Sequence, residues 1–96
     1  MKKGETVLVR DSGAGVLVGV LERYNLKDGT WRLKAARKIW SWLGALSVED
    51  IACRGCGGAS KLSAAAPMVE GRNLDCILQV APRAKKVLAA IPEFVK

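Results

Sequence analysis

VLVGVLERYNLKDGTWRLK, residues 16–34, decides how this chain folds. It opens as a strand in which Val16, Val18 and Val20 fall on one face while Leu17 and Leu21 fall on the other, so both faces need cover. Asn25 to Gly29 follows and contains Asp28-Gly29, a hairpin signal, because glycine supplies the positive φ that a tight turn demands. Beyond it Trp31, Leu33 and Ala35 alternate with Arg32 and Lys34, which is again the period of a strand. The two runs therefore pair antiparallel. The second continues from Thr30 to Trp42, but past Ala36 its formerly polar face acquires Trp40 and Trp42, so it must twist, bulge or end there.

Outward from this hairpin, Thr6 to Arg10 reads as a strand, joined to the first run by Asp-Ser-Gly-Ala-Gly at 11–15. On the other side Leu46-Ser47-Val48-Glu49-Asp50-Ile51 has the parts of a helix start, with Ser47 as N-cap, Asp50 at the third position and Leu46 placed to staple onto Ile51. Gly55 ends that helix, and Cys56 to Ala66 reads as a small-residue loop. Met68 to Gly71 reads as a short strand or a loop. Leu74 to Val80 is a strand with Leu74, Cys76, Leu78 and Val80 facing one way. Pro82 opens a last helix in which Ala84, Val87, Leu88 and Ile91 make the apolar stripe, and Pro92 closes it. The expectation is an α+β fold: a small antiparallel sheet of about five strands with two short helices, one mid-chain and one C-terminal.

With 96 residues the chain buries only about 60 to 65% of its unfolded surface, which leaves room for one core and so for a single domain over 1–96. Half of the residues are hydrophobic and 26% are charged, a globular balance far from that of disordered chains. A small core and three tryptophans favour a homo-oligomer. The formal net charge of +7 favours anionic partners through long-range steering. No run resembles a signal peptide or a membrane span, and the three cysteines fit reduced thiols, so a cytoplasmic protein without membrane contact is expected.

The same residues argue against catalysis. There is no histidine, hence neither the side chain that titrates nearest neutrality nor the commonest metal ligand. Cys53 and Cys56 have the spacing of half a zinc site, but the other half is missing, so neither a metal nor a cofactor is expected. No serine has a histidine to activate it. Ser12, Gly13, Ala14 and Gly15 join two strands and lack the helix and lysine of a phosphate-binding loop; read functionally, their backbone N–H groups form an anion nest beside Arg10. The densest constellation is Arg37-Lys38-Ile39-Trp40-Ser41-Trp42, in which guanidinium and indole come from one segment and could meet a phosphate and a base. Arg83, at the start of the last helix, is a further candidate.

Three stretches in order, Val9-Arg10 with Ser12 to Gly19, Leu33 to Ala45, and Leu46 to Ala52, resemble the phage anti-Thoeris sponge proteins of the first-described type. The most specific part is Ala36-Arg37-Lys38-Ile39-Trp40-Ser41-Trp42, followed by Gly44-Ala45. What the resemblance implies is a non-enzymatic protein, made in the cytoplasm of an infected bacterium. It would bind and withhold cyclic ADP-ribose isomers or the cyclic di- and trinucleotides of a second defence system, as a dimer or a hexamer with sites at subunit interfaces. It implies a phosphate or ribose loop at Arg10 and Ser12 to Gly15, and a charge and stacking platform at Arg37, Trp40 and Trp42. Asp11 stands where an uncharged residue is expected, and residues 55–72 match no part of the pattern. The alternative reading is a small basic β-rich regulator that binds nucleic acid.

Overall fold

The computed structural model of the chain describes residues 1–95, and the fold is the α+β arrangement that the alternations predict. Six strands, β1 (Thr6–Asp11), β2 (Gly15–Asn25), β3 (Thr30–Ser41), β4 (Lys61–Leu62), β5 (Ala66–Gly71) and β6 (Leu74–Gln79), form one antiparallel sheet. Two helices accompany it, α1 (Val48–Arg54) and α2 (Pro82–Ala90). The strand order is β4-β3-β2-β1-β6, and β5 lies along the same edge of β3 as β4, beside its first half.

The sheet is strongly coiled because its strands carry bulges. The β2–β3 ladder shifts register between Val18 and Val20, opposite Ala35, which takes a positive φ of 48°. The shift between Ile39 and Ser41 on the β4 side lies in the stretch past Ala36 where the pattern predicts a break, whereas the Ala35 bulge comes just before it. That bulge sends Ala36 inward after Trp31 and Leu33, and leaves Ile39 on the helix side. A second shift at Arg10/Asp11 reverses the parity of β6. Leu74 and Ile77 consequently pack inward while Leu78 and Val80 pack towards the helices, so the single apolar face expected for Leu74 to Val80 is split in two.

Coiling gives the sheet a core on each face, which answers the double-sided apolar pattern of Val16 to Leu21. Val7, Val9, Leu17, Leu21, Trp31, Leu33 and Ala36 fill the inner one. Leu8, Val18, Ile39 and Leu62 meet Val48 and Ile51 of α1, and Ala84 and Leu88 of α2, in the other. At one end the outer strands β5 and β6 run into each other through Arg72-Asn73, and this link closes the rim. Asn73 O accepts from Ser12 N–H at 3.1 Å, and Leu74 N–H donates to Gly29 O at 3.1 Å, tying the link to both neighbouring turns.

The first helix begins as its sequence requires: Ser47 Oγ accepts from Asp50 N–H at 3.3 Å, and Gly55 ends it with a φ of 83°. The Asp50 carboxylate reaches one residue further back than a full capping box would, to Leu46 N–H at 2.9 Å. Leu46 does not staple onto Ile51. Its side chain is 92% exposed, and Ala45 packs against the core in its place.

Candidate functional site

Two clefts combine charged with aromatic side chains. The larger, about 630 Å³, lies at the closed rim between the turns and includes Asp11, Ala14, Arg23, Trp31, Glu70 and Arg72 in its lining. The smaller, about 240 Å³, lies at the β3–β4 edge and is lined by Lys38, Trp40, Lys61, Leu62, Ser63 and Phe94.

The rim cleft is built around Asp11, a carboxylate only 3% exposed. Its Oδ1 accepts from Gly13 and Ala14 N–H at 2.8 Å each, and its Oδ2 accepts from the Trp31 indole at 2.7 Å and from Asn73 N–H at 2.9 Å. Burial works to raise the Asp11 pKa, but these four donors, the indole foremost, outweigh it and hold the carboxyl below its ordinary value. The N–H groups of Ser12, Gly13 and Ala14, read above as an anion nest, are therefore occupied by Asn73 and Asp11. The unexpected acid at position 11 is the internal anion of its own turn. Glu70, held below its usual range chiefly by its hydrogen bond with Arg32, also meets Arg23, so the rim offers balanced rather than cationic charge.

The edge cleft is different in kind. Lys38 and Lys61 supply two ammonium groups, Trp40 and Phe94 two exposed rings, and no carboxylate lines it. Lys61 Nζ lies 5.4 Å from the centroid of Trp40 and 5.0 Å from that of Phe94. The cleft is held in place by backbone pairing: Ser63 N–H donates to Lys38 O at 2.9 Å, and Lys38 N–H donates to Ser63 Oγ at 2.8 Å. The segment after α2 crosses back beside β4, where Glu93 bridges Leu62 and Phe94 N–H donates to Leu62 O at 2.8 Å. Gly15, with a φ of 91°, abuts this region too, since a Cβ there would lie 3.1 Å from Lys38 Cε.

The residues expected from the sequence are thus dispersed. Trp40 is 67% exposed and belongs to the edge cleft, whereas Trp42 is half-buried against the helix-side core. Arg37 is pinned by Nε to Ser63 O at 2.8 Å and by Nη1 to Leu88 O at 2.9 Å, where it ties α2 to the strand. Arg83 donates to Cys53 O at 3.0 Å and ties α2 to the end of α1. Arg10 is exposed between Val16 and Cys76 and lines neither cleft. Cys56 is buried in the helix-side core and Cys53 is exposed, and no cluster of metal-ligating residues occurs among the described residues. No described helix is long and apolar enough to cross a membrane.

Sequence reasoning missed Lys61, Ser63 and Phe94. Lys61 and Ser63 sit in the tract that reads as a featureless loop, and the only signal for Phe94 is an isolated aromatic just past the proline that closes α2. Lys38 was in view but stood behind Arg37.

No curated protein and no solved structure matches the chain. A family defined as a domain of unknown function, DUF6948, matches residues 4–88, which takes in every strand and most of α2. The chain belongs to the DUF6948 domain family.

Proposed function

We propose that this protein captures a cyclic nucleotide signal and withholds it without altering it, and that the edge cleft is where the ligand is held. The observation that carries this reading is the pairing of two lysines with two exposed aromatic rings in one cleft free of carboxylates. A phosphate needs the first and a base the second, stacking contributing about 1 to 3 kcal/mol per base. The ligand class comes from the resemblance of Leu33 to Ala45 to the anti-Thoeris sponges, and Lys38 and Trp40 of that run both line the cleft. The absence of histidine supports binding over turnover.

A volume of about 240 Å³ takes one base with its phosphate and not a whole cyclic dinucleotide. The remainder of a larger ligand would rest on a second copy of the chain, which agrees with the homo-oligomer expected from the small core. Exposed Trp40, Leu43, Leu46 and Phe94 supply apolar surface for such a contact.

The test is calorimetric titration with cyclic ADP-ribose isomers and cyclic di- and trinucleotides, followed by heating and recovery of the ligand. A sponge must outcompete the receptor of the signal, so nanomolar affinity, about −12 kcal/mol, is expected, with intact ligand released. Trp40→Ala should weaken binding by roughly ten- to a hundredfold with little change in melting temperature. Trp42→Ala should instead destabilise the fold by about 3 kcal/mol. Consumed ligand would mean an enzyme, and no binding across the panel would sink the reading.

A further inference from the structure

Lys61 is held in an unusual way. Its ammonium lies over two rings at once, those of Trp40 and Phe94, and it forms no ion pair among the described residues. Both rings are otherwise open, at 67% and 47% exposed. A cation on exposed rings is weakly held and readily exchanged. The lysine stem is long and flexible enough to carry its charge to a different partner.

We propose that Lys61 is a built-in stand-in for the ligand: it covers the stacking faces of Trp40 and Phe94 in the free protein and moves off them to a phosphate when a base enters. This rests on the reading of the edge cleft as a nucleotide site and adds a selection rule to it. A base without a phosphate must displace the ammonium and offers it nothing in return. A phosphate without a base draws the ammonium away and leaves two rings bare to water. Only a ligand carrying both exchanges a weak cation–π contact for a charge-assisted hydrogen bond while covering the rings. Lys38, across the same cleft, adds a second charge for the phosphate. Phe94 owes its place to the short segment after α2, anchored on β4 by the Glu93 bridge and the Phe94 N–H, and so becomes a specificity-determining residue.

The experiment compares the intact protein with Lys61→Met, Lys61→Gln and Phe94→Ala against three probes. These are cyclic ADP-ribose, adenosine and inorganic pyrophosphate, followed by calorimetry and, for weak binding, by chemical-shift perturbation. Lys61→Met should loosen cyclic ADP-ribose about tenfold, the equivalent of one charged hydrogen bond, and tighten adenosine about threefold by uncovering the rings. Lys61→Gln should move both probes in the same directions, which guards against an effect of the methionine itself. Phe94→Ala should loosen cyclic ADP-ribose and adenosine about tenfold each and tighten pyrophosphate slightly, since one ring no longer holds the ammonium back. If cyclic ADP-ribose binds the intact protein but adenosine binding falls or stays constant in both Lys61 variants, the stand-in is overturned and the nucleotide site survives. If the intact protein binds none of the probes, the nucleotide site falls and the stand-in with it.

Discussion

Asp11 shows what a single buried charge can organise. One carboxylate takes the N–H groups of Gly13, Ala14 and Asn73 and the indole of Trp31, so the turn after β1, the β5–β6 link and the inner core meet on it. Replacing it with alanine would orphan the buried Trp31 indole, at a cost of about 1 to 3 kcal/mol, and release three part-buried backbone donors that water can reach more easily. The milder Asp11→Asn keeps an acceptor oxygen and loses the charge, and should cost roughly 2 to 3 kcal/mol near neutrality. Since the folded protein holds this carboxyl below its unfolded value, its contribution is present above about pH 4 and is lost as the pH falls through the folded value. Glu22, Glu70 and Asp50, the last held at about 2 by its hydrogen bond with Arg54, titrate in the same acid range. The informative quantity is therefore the difference in stability between wild type and Asp11→Asn, measured by thermal melts from pH 6 to pH 2. It should shrink as the pH falls; a constant difference would mean that the charge contributes nothing. Residue types alone showed the acid at position 11 but not its partners, because Asn73 lies sixty-two residues away. For the same reason Trp40 and Trp42 looked equivalent on paper, and Lys61 and Phe94, which join Trp40 only through the sheet edge and the returning tail, were invisible.

At the scale of elements, the strands were legible because their alternation is local, and so was Ser47 as a helix cap. What was not legible is where the alternation slips. Bulges cost no obvious residue: Ala35 sits at φ 48° with nothing in its identity to announce it, and the Arg10/Asp11 shift turned Leu74 to the opposite core from Leu78. The β3 bulge depends on Gly19, across the ladder, where a Cβ would stand 2.9 Å from Lys34 O and 3.0 Å from Ala36 Cα. Both neighbours are backbone and cannot rotate away. Gly19→Ala should therefore destabilise by about 1 to 3 kcal/mol, although alanine is ordinarily harmless in a strand. Ala35→Gly should behave in the opposite sense. Relief of the left-handed conformation, about 1 to 2 kcal/mol, offsets the added freedom of the unfolded chain, so stability should change by less than about 1 kcal/mol. Chemical denaturation of the two variants checks the pair. A neutral Gly19→Ala, or an Ala35→Gly that costs as much as glycine elsewhere in a strand, would remove the bulge from the account of why the sheet coils.

For the molecule as a whole, the decisive quantity is how its charge is spent. The formal +7 belongs to a chain in which Glu22 faces Lys3 and Lys34, Glu70 faces Arg23 and Arg32, and Asp50 faces Arg54. These pairs neutralise the rim and the β2–β3 surface locally, whereas Lys38 and Lys61 stay together at the edge cleft without a carboxylate in its lining. A protein built to track a nucleic-acid backbone needs a continuous cationic path, because its affinity comes from releasing counterions at many phosphates. One cleft with two lysines engages two or three phosphates at most. Raising the salt from 50 to 200 mM should thus weaken a cyclic nucleotide by no more than about ten- to fortyfold, whereas a contact with six to ten phosphates would lose roughly a thousandfold or more. Titrating cyclic ADP-ribose and a mixed-sequence single-stranded oligonucleotide at both salts separates the two cases. A shallow slope for the small ligand, with the oligonucleotide weak throughout, is the expected result; tight oligonucleotide binding with a steep slope and no response to cyclic ADP-ribose would make the protein a nucleic-acid binder and leave the edge cleft as one contact among many.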